Sequence, residues 1–311
     1  MGLESILVTG GAGFIGAAVV RQILQKSTRL VVVDKERNPW RLGNDVARLT
    51  YVCGDITKLN ENIVDQLPKQ IDSIIHLAAF AKPSMAEKQP DRCFSVNVYG
   101  TKAVCDLAEK LGAKSLVNMS ALALYPNDPD YSPIDEKHRI SPLQGVYAHS
   151  KWLAEKTVSE FGKTSVVTAN SIRLSNTYGP MQEANYLVPS LISKAQGGDF
   201  SVWNGSMIRD FNYVDDVASA IIALAESQEC HQPMNLGTGI GTSIESLAEI
   251  IAEIYGVAVS DECQETFGPK MQIVNSKNLQ DSVGWAPKTP LAEGVKKTIE
   301  YFEEHGFYHE Q

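Results

Sequence analysis

The sequence predicts an α/β protein built on a doubly wound parallel sheet, with a smaller lobe interleaved with it. Three observations carry this. A glycine-rich turn, Gly10-Gly11-Ala12-Gly13-Phe14-Ile15-Gly16, stands between an apolar strand-like run and an apolar run at helical spacing. A second apolar run, Leu30-Val31-Val32-Val33, ends in Asp34. Strand-like and helical stretches then alternate as far as residue 172.

Taken in order, residues 6–8 read as a buried parallel strand and 14–24 as the helix behind it. Residues 30–33, 51–53, 73–78, 115–119 and 165–172 read as the further strands. In such a sheet ligands bind beyond the carboxyl ends of the strands, where Gly10, Asp34, Asp55, Ala78, Ser120 and Arg173 fall. After Arg173 the alternation fails, and Gly179-Pro180 and Gly197-Gly198 break the chain into short elements. Residues 214–224 and 233–236 look like one more helix and strand returning to the sheet. The expected division is therefore 1–174, with 210–240 returning to it, as a dinucleotide-binding Rossmann domain, and 175–209 with 241–311 as a substrate-binding lobe.

The glycine turn is a phosphate cradle. Gly10, Gly13 and Gly16 let backbone approach the pyrophosphate of a dinucleotide, and the helix beginning at Phe14 and Ile15 offers free N–H groups and a positive dipole end. Asp34 follows Gly16 by 18 residues (34 − 16), near the spacing at which an acid holds ribose hydroxyls. An acid there repels a 2′-phosphate, so NAD is favoured over NADP, although Lys35 and Arg37 offset part of that repulsion.

Composition narrows the class. With 311 residues, 43% hydrophobic and 21% charged, the chain reads as a globular protein, and its formal charge of −9 disfavours nucleic acid and anionic membrane as partners. Cys53, Cys93, Cys105, Cys230 and Cys263 are too dispersed for a metal site or a disulfide framework, so reduced cysteines in a cytoplasm are expected and no metal. No apolar run approaches the length of a membrane helix, no signal peptide precedes the first strand, and Ile6 removes the hydroxyl that myristoylation of Gly2 would need.

Tyr147 and Lys151 stand four apart in Tyr-Ala-His-Ser-Lys, so on a helix they share a face. An ammonium beside a phenol favours phenolate, and an oxidised nicotinamide would add to the effect. The pair is expected to form a base. His76 and His149 are expected to be pocket-wall or loop residues.

Together these residues resemble the extended short-chain dehydrogenase/reductase family, within it the NAD-dependent epimerase/dehydratase group acting on nucleotide sugars. The resemblance spans nearly the whole chain. It includes Gly54-Asp55-Ile56, His76-Leu77-Ala78-Ala79, Asn97-Val98-Tyr99-Gly100-Thr101, the run Arg173 through Pro180, Arg209-Asp210-Phe211, Asn235-Leu236-Gly237 and Gly284-Trp285. It implies that Asp55 and Ile56 line the adenine pocket, that Leu77, Ala78, Ala79 and Asn97 flank the cofactor, and that Lys151 bridges the nicotinamide ribose. It also implies that Asn176 and Arg209 face the substrate diphosphate, with Tyr125, Asn185 and Leu187 in the sugar pocket. Relatives pair through helices matching 91–111 and 147–161, so a homodimer is expected.

Two departures shape the functional expectation. Where the family places a Ser or Thr hydroxyl beside the tyrosine, this chain has Ala121, leaving the adjacent Ser120 as candidate donor. Dehydratases and decarboxylases of the group keep acids just beyond that point, and Leu122 and Ala123 supply none. The expected activity is a nucleotide-sugar epimerase, a 4-epimerase working through a keto-sugar with Tyr147 as base. The alternatives are a nucleotide-sugar 4-ketoreductase or dehydrogenase, and a dinucleotide-binding sensor or scaffold with weakened catalysis. The second departure, Lys270 where relatives often carry Arg, trades a bidentate fork for a point charge.

Overall fold

The structure is a computed structural model that describes residues 3–26, 28–227, 233–262 and 269–308. Cys230, Cys263, the Met1-Gly2 dipeptide and Phe267-Gly268 lie outside the described residues. Thirteen strands occur among them. They are β1 Ser5–Thr9, β2 Arg29–Asp34, β3 Thr50–Cys53, β4 Ser73–His76, β5 Ser115–Ala121, β6 Thr168–Leu174 and β7 Asn176–Tyr178, then β8 Phe200–Trp203, β9 Ile208–Tyr213, β10 Met234–Leu236, β11 Gly241–Ser243, β12 Val259–Glu262 and β13 Met271–Gln272.

Seven of these form one sheet in the order β10-β6-β5-β4-β1-β2-β3, and every pairing in it is parallel. The chain order reverses between β1 and β4, which opens a crevice at their carboxyl ends. Parallel strands covered on both faces must be apolar throughout, and β1 is buried at all five residues. One face packs the helices Phe14–Ile23 and Val214–Ser227 in a core around Val8, Val20, Val32 and Ile221. The other is covered by the helices Thr101–Lys110 and Val146–Thr164, around Leu7, Ile74, Leu116 and Val158.

The remaining strands make two small sheets, one of four strands and one of two. β9 pairs with β7, β11 and β13, and β8 pairs with β12. A third core, around Leu191, Phe211, Leu247 and Phe302, lies among the helices of this part.

Two expected elements shift. The strand expected at 165–172 begins only at Thr168, because the long helix runs to Thr164 and Ser165 closes it through a backbone bond to Phe161. The helix expected across 91–111 is interrupted by a π-type segment, Ser95–Gly100, which turns the Asn97 amide inward to hold the backbone of Phe80.

Candidate functional site

A cleft of about 740 Å³ lies beyond the carboxyl ends of the central strands. Gly10, Gly13, Phe14, Ile15, Gly16, Asp34, Lys35, Asp55, Ile56, Leu77, Ala78 and Ala79 line one end, and Tyr147, Lys151, Ser120, Ala121, Asn176 and Leu187 line the other.

The glycines are required by contact. A Cβ on Gly16 would stand 2.1 Å from the Gly10 carbonyl oxygen, and one on Gly10, whose φ is +74°, would stand 2.5 Å from the Ala78 nitrogen. Backbone of β1, of the following helix and of the loop after β4 therefore meet without side chains between them. Gly13 caps the helix with no side-chain acceptor and no acid follows in the first turn, so the leading N–H groups are left to a ligand. Asp34 ends β2 at the cleft and accepts from Ala12 N (2.9 Å) and Glu36 N (3.0 Å), which fixes its carboxylate against the turn. At Asp55 burial raises the carboxyl pKa, but the backbone and hydroxyl bonds from Thr57, with Lys35 and Lys58 nearby, lower it overall. A phosphate cradle, an acid at the second strand end and a long cleft fit an extended dinucleotide.

Tyr147 and Lys151 project from the Val146–Thr164 helix to the cleft. The expected depression of the tyrosine does not arise from the protein alone. Burial, with Tyr186 and Cys93 adding to it, pushes Tyr147 above its usual range. Lys151 is itself lowered to about 8 by burial, and its ammonium donates to Met119 O at 2.8 Å. The lysine is anchored to the end of β5.

Ser120 is placed differently from the expectation. Ser120 pairs in register with Arg173 and Ala121 with Leu174, so the two neighbours face opposite sides of the sheet. The Ser120 hydroxyl donates to Glu155 Oε2 (2.9 Å), which also receives Arg173 Nε (3.0 Å), while Arg173 Nη2 reaches Glu155 Oε1 (2.6 Å). Its hydroxyl thus belongs to a buried network next to the cleft. Tyr125 belongs to it too: its ring is 1% exposed, it accepts from Arg173 Nη1 and donates to Asn235, and it is no wall of the cleft.

Three further expected residues do not reach the cleft. Asn97 stands behind it, its amide bonding Phe80 N, Phe80 O and Ser150. Arg209 curls onto Ile208 O and Met207 Sδ, because β9 is enclosed by β11 and β13 at that point. Asn185 is exposed outside the lining. His76 is a core residue between the Thr9 and Thr101 hydroxyls, and His149 lies edge-on to Phe94. Cys53, Cys93 and Cys105 are free thiols.

The sequence reading missed Arg41, Lys82, Gln182, Glu183 and Phe211, all on the cleft. Lys82 carried a signal, standing in the loop just beyond Ala78-Ala79. Arg41 and Glu183 carried none, because they are brought together from loops far apart in the chain.

No helix among the described residues is long and apolar enough to cross a membrane. The chain is 30% identical to UDP-glucuronic acid decarboxylase 1 of Xenopus tropicalis, over 96% of this chain and 72% of that one. It is 29% identical to a putative UDP-glucose 4-epimerase of Methanocaldococcus jannaschii, over 96% and 98%. The crystal structure of Thermotoga maritima UDP-glucose 4-epimerase with UDP-glucose superposes with a TM-score of 0.85 at 26% identity, covering 96% of this chain and 99% of that one. Residues 6–237, which hold the glycine turn, Asp34 and the Tyr147 and Lys151 pair, match the model of one enzyme family, and the chain belongs to it: the NAD dependent epimerase/dehydratase family.

Proposed function

We propose that the protein is an NAD-dependent nucleotide-sugar 4-epimerase. The observation that carries this reading is the lining at the end of β5, where Met119, Ser120 and Ala121 line the cleft with Tyr147 and Lys151, and the acid bound to Ser120, Glu155, is buried behind the lining in a pair with Arg173. The Leu122–Leu124 turn that follows has both leucines buried. Dehydration or decarboxylation asks for an acid beside the reacting carbon, whereas oxidation and re-reduction of one carbon asks only for a base and a hydride carrier.

NAD, when bound, would accept hydride from the sugar carbon and return it to the other face. Gly10, Gly13 and Gly16 would hold its pyrophosphate against the helix N-terminus, and Asp34 its ribose. Tyr147 takes the proton of the sugar hydroxyl at its phenol oxygen and gives it back at the end. Because burial raises this phenol, it ionises only when positive charge enters the cleft with the oxidised cofactor. Lys151, fixed to Met119 O, supplies the neighbouring positive charge while it remains protonated. UDP-sugars are the first substrates to try, since UDP-glucose is bound in a similar structure.

The experiment is to denature the purified protein, identify released nucleotide by chromatography and mass, and follow UDP-glucose and UDP-galactose by proton NMR. Near-stoichiometric NAD with interconversion of the two sugars, the interconversion but not the NAD content being abolished in Tyr147→Phe, supports the reading. Unchanged turnover in Tyr147→Phe ends it. Empty protein that consumes added NADH would favour a ketoreductase or dehydrogenase.

One observation favours weakened catalysis. With Ala121 lacking a hydroxyl and Ser120 bound to Glu155, the strand gives the sugar oxygen no donor beside Tyr147.

A further inference from the structure

We infer that Glu183 is a latch that keeps the dinucleotide in place between the two half-reactions; this rests on the dinucleotide site proposed above. An epimerase that oxidises and then re-reduces one carbon must not lose its reduced cofactor in between, so something has to hold the cleft shut.

Three segments meet at Glu183. Its Oε1 lies 3.7 Å from Arg41 Nη2, in the short helical stretch Trp40–Arg48 after β2, and its Oε2 lies 2.7 Å from Lys82 Nζ, on the loop after β4. Glu183 itself comes from the segment after β7, and all three residues line the cleft. One carboxylate thus ties together rims that approach the cofactor from different strands. Side-chain exposures of 13%, 24% and 20% for Arg41, Lys82 and Glu183 leave these pairs only partly screened by water.

The segment around Glu183 is held in an otherwise unfavourable shape. Met181 has φ +67°, in the left-handed region that non-glycine residues avoid, and its carbonyl accepts from Arg41 Nε at 3.2 Å. A second, aromatic tie runs alongside. Tyr308 stacks on Trp40 with ring centroids 3.9 Å apart, and its carbonyl accepts from Ala184 N. Arg41 and Trp40 therefore both hold the strap formed by residues 181–184, Arg41 directly and Trp40 through Tyr308. A dinucleotide lying between the glycine turn and Tyr147 leaves only when the strap lets go.

The test is dissociation of NADH from the full-length protein, followed by stopped-flow fluorescence on mixing with excess NAD, at low and high salt. In Glu183→Gln release is expected to be about three- to tenfold faster, the size that two partly exposed ion pairs give, with the thermal midpoint unchanged. In the native protein release quickens with salt, and in Glu183→Gln this dependence flattens. Tyr308→Ala, which removes the ring stacked on Trp40 and leaves Arg41 seated on Trp40 with its charge, also quickens release but retains the salt dependence. During turnover the Glu183→Gln protein loses activity progressively and regains it on added NAD. Release and salt dependence unchanged in Glu183→Gln would overturn the latch while leaving the site intact. A native protein that binds no NADH would instead overturn the dinucleotide site, and the latch with it.

Discussion

Ala121→Ser tests the chemistry of this site most directly. Ala121 ends β5 in extended conformation, is 9% exposed and lines the same cleft as Tyr147, so the change adds one oxygen to a Cβ already present. That oxygen can donate to the substrate oxygen as charge develops on it. A hydrogen bond to a charged group contributes about 1.5–3 kcal/mol, and since 1.4 kcal/mol is tenfold, kcat should rise roughly 10- to 150-fold. The companion is Ser120→Ala. It removes one of the donors to Glu155, costing about 1 kcal/mol of stability, and should leave kcat within about threefold because the hydroxyl faces Glu155 and not the substrate. Both are measured as initial rates of UDP-sugar interconversion by NMR, with denaturation midpoints alongside. If Ser120→Ala lost about a hundredfold in kcat and Ala121→Ser gained nothing, Ser120 would be the donor and the two-face argument would be wrong.

Three further outcomes follow from the geometry. Gly16→Ala drives a Cβ into the Gly10 carbonyl and should abolish NAD retention with about 1–3 kcal/mol of destabilisation, whereas Gly13→Ala, whose nearest protein contact is at 3.2 Å, should lose NAD by crowding the pyrophosphate while keeping the apoprotein's stability; equal denaturation midpoints in the two apoproteins would refute this. Glu155→Ala leaves Arg173 buried and unpaired, each side chain being 5% exposed, and should cost about 3–5 kcal/mol in urea unfolding; the double change with Arg173→Met should recover most of it, and a double as weak as the single would count against the pairing. His76 is held neutral in the folded protein by burial, with Lys151 adding to the effect, at a pKa of about 3 against 6.5 when exposed. Between those values the unfolded chain binds a proton that the folded one refuses, so stability falls as pH drops from about 6.5 towards 3. Thermal midpoints in His76→Asn should depend less steeply on pH over that window, and identical slopes would exclude His76 as the source.

Local patterns made much of this protein legible. The run from Ile6 through Gly16 encodes strand, turn and helix in consecutive residues, and its glycines answer contacts with one another, with Ala78 and, for Gly11, with Val32. The helix face shared by Tyr147 and Lys151 follows from a spacing of four. What sequence could not supply is the side-chain direction of groups whose partners are distant. Ser120 and Arg173 read as cleft residues because they stand at strand ends, and Tyr125 from the family resemblance, yet a buried carboxylate at Glu155, on the helix over that face, draws the polar atoms of Ser120 and Arg173 away, and Arg173 in turn binds Tyr125. The Tyr147 pKa likewise depends on how deeply the folded chain buries the phenol, with Tyr186 and Cys93 adding to the rise. The strap is the extreme case: Arg41, Lys82, Glu183 and Tyr308 are separated by up to 267 residues (308 − 41), and only packing makes them neighbours. Patterns repeated every two to four residues fixed the strands, the helices and the phosphate cradle, because those depend on nearest neighbours in the chain. Burial, charge pairing and closure of the cleft were decided by the tertiary structure, because each is a property of groups that meet only in space.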